Sequence, residues 1–195
     1  MKGLIACVGR SGSTWLANAL SASGVNAEHE ALTEPFLKGV GEWLVPEDEH
    51  RGFVDVSCRL RIATHKLRRV YPDTPLLWLA RDGRDTVRSW VARHMEFERA
   101  CFKWAEESAS ATHCDRLVRF EDLLTDYWIF GALAHQFGGH CNMPQWKSLC
   151  EFVARPTENH LCPAWPGWSS VQRLTFDSIC GPTMAKFGYY PPRMQ

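Results

Sequence analysis

The sequence predicts an α/β fold: a single three-layer domain with a central, mostly parallel sheet flanked by helices. Two apolar runs, Leu4–Val8 and Leu76–Ala80, have the length and composition of strands that are buried on both faces of a parallel sheet. Each run leads into a polar turn that contains glycine, and then into a segment whose apolar residues have helical spacing. Strands that alternate with helices favour a covered parallel sheet, whose ligands bind beyond the carboxyl ends of the strands.

Shorter elements are predicted around these two strands. Val25–Ala27 and Phe53–Cys58 are short apolar runs that favour a second and a third strand. Leu60–Val70 has one apolar and one basic face, which is typical of a surface helix. A further helix is expected from about Asp85, with His94 on its inner face, and Leu117–Phe120 is a candidate strand.

Length, composition and charge indicate one globular domain over residues 1–195. A chain of 195 residues can bury a sizeable core, and neither an internal repeat nor a linker rich in Pro, Gly or Ser divides it. Lys plus Arg and Asp plus Glu number 22 each, so no global charge attracts nucleic acid or an anionic membrane. An anion site therefore has to be built locally.

The distribution of cysteines and apolar segments predicts a cytoplasmic protein. The eight cysteines are dispersed without the spacing of a zinc site, and we interpret them as reduced thiols. The apolar run at the amino terminus is too short for a signal peptide, and no later segment could span a bilayer. We expect no metal cofactor, no membrane association and no nucleic-acid partner.

The turn after the first strand has the composition of a P-loop-like phosphate site. Glycines allow a ligand to approach the backbone, hydroxyls add hydrogen-bond donors, and an arginine adds a charge whose forked donors suit phosphate or sulfate oxygens. At a helix start, backbone N–H groups and the helix dipole also attract an anion. An ordinary helix start capped by Ser13 or Thr14 is the alternative. The residues of this turn are Gly9, Arg10, Ser11, Gly12, Ser13 and Thr14.

A second candidate anion site follows the second buried strand. Arg81 comes directly after that strand, and Ser89 follows on the next helix, so both side chains could face one phosphate group. Taken alone, Arg81 could equally form an ion pair with Asp82 or Asp85.

Together these motifs resemble the sulfotransferase family that uses 3′-phosphoadenosine 5′-phosphosulfate (PAPS). Arg10–Trp15 is similar to the segment that binds the 5′-phosphosulfate, and Arg81–Ser89 to the one that binds the 3′-phosphate, with Gly83 replacing the usual proline. Val118–Leu124 and Phe187–Tyr189 resemble two further family segments, so the similarity spans nearly the whole chain. The family's late Arg-Lys-Gly loop has no counterpart between those last two segments.

The resemblance implies an enzyme that moves a sulfuryl group from PAPS to a hydroxyl or amine acceptor, without a metal, and releases adenosine 3′,5′-bisphosphate. It also implies that Trp15 and Phe120 line the adenine pocket, although a tryptophan at this place in a helix is often a core residue. Arg155 or Arg173 could replace the missing loop. The acceptor is left open among small molecules, glycans and peptides, because variable loops contact it in this architecture.

Sulfuryl transfer requires stabilisation of charge on the peripheral and leaving oxygens, a catalytic task that suits Arg10 and the turn amides. It also needs a base that removes the proton of the attacking hydroxyl. The segment Glu28–Glu34 follows the second strand, the region from which some members of the resembled family supply a catalytic glutamate. His29 and Glu30 are the first candidates, followed by Glu34. Histidine changes charge near neutral pH, whereas a glutamate needs burial or a neighbouring carboxylate to become a stronger base. A surface histidine in a polar loop is the competing interpretation.

Two other functions stay open at this point. A P-loop-type kinase of a small metabolite would share the sheet, the turn and the arginines, but the turn lacks the Gly-Lys-Ser/Thr ending of nucleotidases that use magnesium. A non-catalytic module that binds a nucleotide or a sulfated ligand is the second, because the chain is shorter than most members of the resembled family.

Overall fold

The computed structural model describes residues 1–32, 52–153 and 162–189. The strands of these residues are β1 (Gly3–Cys7), β2 (Ala27–His29), β3 (Val54–Ser57), β4 (Leu76–Ala80) and β5 (Arg116–Arg119). The helices are α1 (Ser13–Ala22), α2 (Thr64–Val70), α3 (Gly83–Val91), α4 (Phe97–Ser108), α5 (Phe120–Thr125), α6 (Tyr127–Gln136), α7 (Met143–Glu151) and α8 (Ser170–Lys186). The α/β fold class predicted from the sequence is confirmed.

The strands form one parallel sheet in the order β2-β3-β1-β4-β5. From β1 the chain passes to β2 and β3 on one side, and then crosses to β4 and β5 on the other. Cys7 lies opposite Leu79, so β1 and β4 end at the same edge of the sheet. This order places the topological switch point at the carboxyl ends of β1 and β4, where open parallel sheets bind ligands.

Both faces of the sheet are buried, which explains the unbroken apolar runs of its central strands. Ile5 and Leu77 belong to a core cluster that also contains Leu16 of α1 and Phe130 of α6. Because successive side chains of a strand alternate between faces, Trp78 points to the opposite side, where it is 1% exposed. Burial on two sides holds β1 in the core up to the point where the turn to α1 begins.

By their internal contacts the described residues divide into two compact units. The first comprises Met1–Ala80 and Ser110–Val153 and contains the entire sheet. The second begins with Arg81–Ala109 and contains α3, α4 and α8. In the second unit, Cys180 of α8 lies against α4, its thiol donating a hydrogen bond to the Cys101 carbonyl oxygen at 3.5 Å. One domain over residues 1–195 stays a prediction.

Several element boundaries differ from the sequence prediction. β2 begins at Ala27 and includes His29, two residues later than predicted, because this strand is held by backbone pairing with β3. α3 begins at Gly83 because the Asp82 carboxylate caps it by accepting a hydrogen bond from the Arg84 N–H. The placement of His94 on the inner face of that helix is wrong: it is exposed beyond the helix end, with φ at 65°.

The predicted helix Leu60–Val70 is divided in the structure. A 3-10 turn spans Arg59–Ile62, and α2 begins only at Thr64. The predicted strand Leu117–Phe120 lies one residue earlier, as β5, and Phe120 is instead the first residue of α5.

The packing around Gly83 leaves little room for a larger residue at the start of α3. A Cβ atom there would lie 2.9 Å from the Trp104 ring and 3.1 Å from the Met184 sulfur, and the Gly83 N–H donates to that sulfur at 3.3 Å. We expect Gly83→Pro to lower the free energy of unfolding by about 2–4 kcal/mol, because a proline ring overpacks this contact and removes the donor. Urea unfolding measures this loss.

Gly181→Ala is the matched control, because a Cβ at Gly181 in α8 meets no atom within 4 Å. Alanine is the better helix former, so this variant should be as stable as wild type or slightly more stable. Equal stability of Gly83→Pro and wild type would contradict the packing account.

Candidate anion-binding site at the carboxyl end of β1

The turn between β1 and α1 has an unusual backbone. Arg10 and Gly12 adopt left-handed conformations, with φ of 73° and 89°. Such a conformation is uncommon for arginine and concentrates at functional sites. The Ser11 N–H closes the turn by donating to the Val8 carbonyl oxygen at 3.3 Å. Ser11 is buried, whereas Arg10 is exposed.

Helix α1 begins without a side-chain cap. Its N-cap residue is Gly12, and no side chain accepts a hydrogen bond at this end. Ser13 and Thr14, which could have capped an ordinary helix start, lie inside the first turn instead. The N–H groups of a first helical turn have no intrahelical acceptors, and the helix dipole adds partial positive charge. The backbone N–H groups and the partial positive charge at this end of α1 can therefore bind an anion. The guanidinium of the exposed Arg10 adds further donors and a full positive charge.

His29 lies beside this turn. The Nε2 atom of His29 is 3.0 Å from the Ser13 hydroxyl oxygen and 3.3 Å from the Thr14 hydroxyl oxygen. The imidazole is solvent-exposed, so it is open to a second ligand. The structure therefore brings together the candidate base and two hydroxyls of the candidate phosphate turn, which the sequence presents as separate segments.

Cys7, the last residue of β1, lies close to the Ser13 side chain. Burial raises the pKa of the Cys7 thiol, and the Ser13 hydroxyl opposes that shift. Cys7 is therefore a neutral thiol and not a nucleophile. Ser13 itself is 8% exposed, and its hydroxyl contacts His29 Nε2 at 3.0 Å.

Glu30 is engaged in other contacts. One of its carboxylate oxygens lies 3.0 Å from the Arg59 guanidinium, and the other accepts a hydrogen bond from the Cys58 thiol at 3.2 Å. Both carboxylate oxygens therefore have partners outside the turn. The geometry therefore favours His29 over Glu30 for proton removal. Glu34 lies outside the described residues.

Asp55 is a residue of this region that the sequence interpretation missed. It is 0% exposed on β3, and its carboxylate accepts hydrogen bonds from the N–H groups of Ala31 at 3.1 Å and Leu32 at 3.2 Å. Burial raises the pKa of Asp55 to about 6, although both hydrogen bonds oppose that shift. The signal in the sequence was a single charged residue inside the apolar run Phe53–Cys58.

Trp15 and Phe120 pack on each other beside the turn. Their ring centroids are 5.5 Å apart with the planes at 90°, and the Trp15 indole N–H donates to the Leu149 carbonyl oxygen at 2.9 Å. Phe120 is 4% exposed and fills the space next to Gly12, where a Cβ atom would overlap its ring. Both residues thus support the turn from the core. Their contact with an adenine ring stays a prediction.

Comparison with known proteins adds no assignment. No protein-family model matches the chain, and no curated protein is significantly similar to it in sequence. Across residues 1–32, 52–153 and 162–189, no group of three or more His, Cys, Asp or Glu side chains could hold a metal ion. In the same ranges no helix combines the length and the apolar character that crossing a bilayer requires.

Arg81 and Ser89, the predicted ligands of the 3′-phosphate, belong to the second unit. Both are half-buried, and Ser89 lies on α3. Arg81 is 3.9 Å from the Asp85 carboxylate, while Arg84 makes a close ion pair with the Asp82 carboxylate. The assignment of Arg81 and Ser89 to the cofactor stays a prediction.

Arg173 is one candidate to replace the missing late loop. Its side chain instead binds backbone carbonyl groups of the segment just before α8. Its guanidinium donates to the Trp168 carbonyl oxygen at 3.1 Å and to the Pro166 carbonyl oxygen at 2.7 Å, and lies 6.0 Å from the Trp165 ring. These contacts fix the segment before α8 and do not favour Arg173 as a phosphate ligand. Arg155 lies outside the described residues.

Proposed function

We propose that this protein is a sulfotransferase that moves a sulfuryl group from PAPS to a hydroxyl or amine acceptor. The observation that carries the proposal is the position of His29, with Nε2 at 3.0 and 3.3 Å from the hydroxyls of Ser13 and Thr14. A phosphate turn alone can bind an anion but cannot remove a proton. A base beside it can take up the acceptor's proton, which the transfer of a charged group to a hydroxyl also requires.

In this proposal each part of the site has one task. The N–H groups at the start of α1 and the Arg10 guanidinium bind the phosphosulfate. His29 accepts the acceptor's proton as the acceptor oxygen or nitrogen forms its bond to sulfur and the bond from sulfur to the 5′-phosphate oxygen breaks. The electron pair of that bond stays on the leaving phosphate, where the helix N–H groups and Arg10 stabilise the developing charge. The products are the sulfated acceptor and adenosine 3′,5′-bisphosphate.

The turn distinguishes this proposal from a metabolite kinase. It lacks the lysine with which P-loop enzymes reach the outer phosphates of a nucleotide, and it carries an arginine, whose forked donors match a sulfate or phosphate group. The motifs that resemble the PAPS-dependent sulfotransferases include this turn. The acceptor can be a glycan, a peptide or a small molecule, and screening identifies which of them is used.

Calorimetric titration with adenosine 3′,5′-bisphosphate, without added metal, tests the proposal. We expect micromolar binding to wild type that weakens at least tenfold in Arg10→Ala, a loss of about 1.4 kcal/mol. Arg116→Ala is the matched control, because Arg116 is an exposed arginine at the amino end of β5, the opposite edge of the sheet, and should leave binding unchanged.

The outcomes separate the rival functions. No binding to folded wild type overturns the sulfotransferase proposal, and equal loss in Arg10→Ala and Arg116→Ala shows that the ligand does not use the turn. A rise in melting temperature with magnesium and ATP, and none with adenosine 3′,5′-bisphosphate, indicates the kinase instead.

A further inference from the structure

Asp55 is a buried carboxylate placed where a strand normally carries an apolar side chain. On β3 it lies between Leu4 of β1 and Glu28 of β2, its partners in the sheet register. Its neighbours Val54 and Val56 are both 0% exposed, and so is Asp55 itself. An apolar residue of similar size would fill this place without the cost of burying a charge.

The environment of Asp55 makes the carboxylate costly to keep. Burial raises the pKa of Asp55 to about 6, and the negative charges of Glu30 and Glu28 act in the same direction. Core packing therefore gives no reason for this residue. Its two hydrogen bonds supply one, because a single carboxylate can accept from two consecutive backbone N–H groups that an apolar side chain would leave unsatisfied.

These hydrogen bonds hold the chain where it leaves β2. Glu30, directly after His29, adopts a left-handed conformation with φ at 59°, which costs a residue with a Cβ about 1–2 kcal/mol. The next two N–H groups, of Ala31 and Leu32, both point at the Asp55 carboxylate. Leu32 is 1% exposed, so its side chain anchors this segment in the core. Asp55 thus compensates the strained backbone immediately after His29.

We propose that Asp55 is a positioning residue, which holds the His29 imidazole within hydrogen-bonding reach of Ser13 and Thr14 by binding the Ala31 and Leu32 amides. Asp55 acts through the backbone and is not itself a group that touches the reacting atoms. That the positioned imidazole serves as a base rests on the proposed sulfotransferase function. The positioning itself is a property of the free protein and is tested without any ligand.

The test is the NMR signal of the His29 imidazole in the full chain, assigned by its absence in His29→Gln. The Ser13→Ala/Thr14→Ala variant gives the reference shift of an imidazole that has lost both hydroxyl partners. We expect Asp55→Ala to move the His29 signal most of the way to that reference. Asp55→Asn, which keeps one acceptor oxygen for the two N–H groups, should move it part of the way.

The matched control is Val54→Ala, which removes buried methyl groups from the same strand without touching the Ala31 and Leu32 amides. Its His29 signal should stay at the wild-type position even though the variant is destabilised. A wild-type His29 signal in folded Asp55→Ala overturns the proposal. If Asp55→Ala does not fold, Asp55→Asn decides, and an unmoved signal there overturns the proposal in the same way.

Calorimetry with adenosine 3′,5′-bisphosphate separates this inference from the proposed function. Asp55→Asn should bind the nucleotide as wild type does, because the turn and Arg10 are unchanged. Absence of binding to wild type, together with the expected shifts of the His29 signal, means that the function fails and the positioning stands. If the wild type binds the nucleotide but the His29 signal does not move in the Asp55 variants, the positioning proposal fails and the proposed function stands.

Discussion

His29→Gln should lower the rate of sulfuryl transfer by about 10²–10⁴-fold, the usual contribution of a general base. Glutamine keeps a polar group beside Ser13 and Thr14 but cannot take up a proton near neutral pH. Adenosine 3′,5′-bisphosphate should therefore bind His29→Gln as it binds wild type. Glu30→Gln should have a much smaller effect on the rate, because the Glu30 carboxylate is already ion-paired with Arg59.

The measurement is the turnover rate with PAPS and an acceptor found by screening, beside calorimetric affinity for the product nucleotide. His135→Gln serves as the control, because His135 is an exposed histidine in the last turn of α6. An unchanged rate in His29→Gln would show that another group removes the proton. Loss of nucleotide affinity in parallel with the rate would make His29 a cofactor ligand and not a base.

The central strands could be predicted from the sequence because burial on both faces leaves an uninterrupted apolar run. Leu76–Ala80 was predicted with the bounds that β4 has, and β1 is displaced from its prediction by one residue. The edge strand β2 could not be located in this way. Its residues Glu28 and His29 are exposed, and backbone pairing with β3, not hydrophobicity, decides where the strand lies.

The contact at the candidate site was likewise not readable from the sequence. His29 and the turn were each proposed for their chemistry, but their proximity depends on the strand order, in which β3 separates β2 from β1. For a related reason the sequence analysis assigns no role to Asp55. A charged residue inside an apolar run has meaning only when its hydrogen-bond partners are known, and these are amides that follow the preceding strand.

Tertiary packing decides two further positions that the sequence alone does not settle. At Gly83, where the resembled family segment has a proline, an added Cβ would lie 2.9 Å from the Trp104 ring and 3.1 Å from the Met184 sulfur. Trp15 was assigned to the adenine pocket by resemblance, yet its indole N–H is bonded to Leu149 of α7. In both cases the partner is distant in the chain, so only the folded structure reveals it.

Gly12→Ala is expected to lower the free energy of unfolding by about 2–5 kcal/mol, of which about 1–2 comes from the left-handed backbone and the rest from overpacking. The φ of Gly12 is 89°, and a Cβ atom there would overlap the Phe120 ring. The turn must then move away from α5, so adenosine 3′,5′-bisphosphate should bind at least tenfold more weakly. Urea unfolding and calorimetry measure the two effects.

Gly24→Ala separates the cost of the left-handed backbone from the cost of overpacking. Gly24 has nearly the same conformation, with φ at 83°, but a Cβ there meets no atom within 4 Å. It should cost only the backbone term and leave nucleotide binding unchanged. Gly12→Ala/Phe120→Leu should recover part of the packing loss, since leucine vacates the space that the ring fills. If Gly12→Ala costs no more than Gly24→Ala, then Phe120 does not hold the turn.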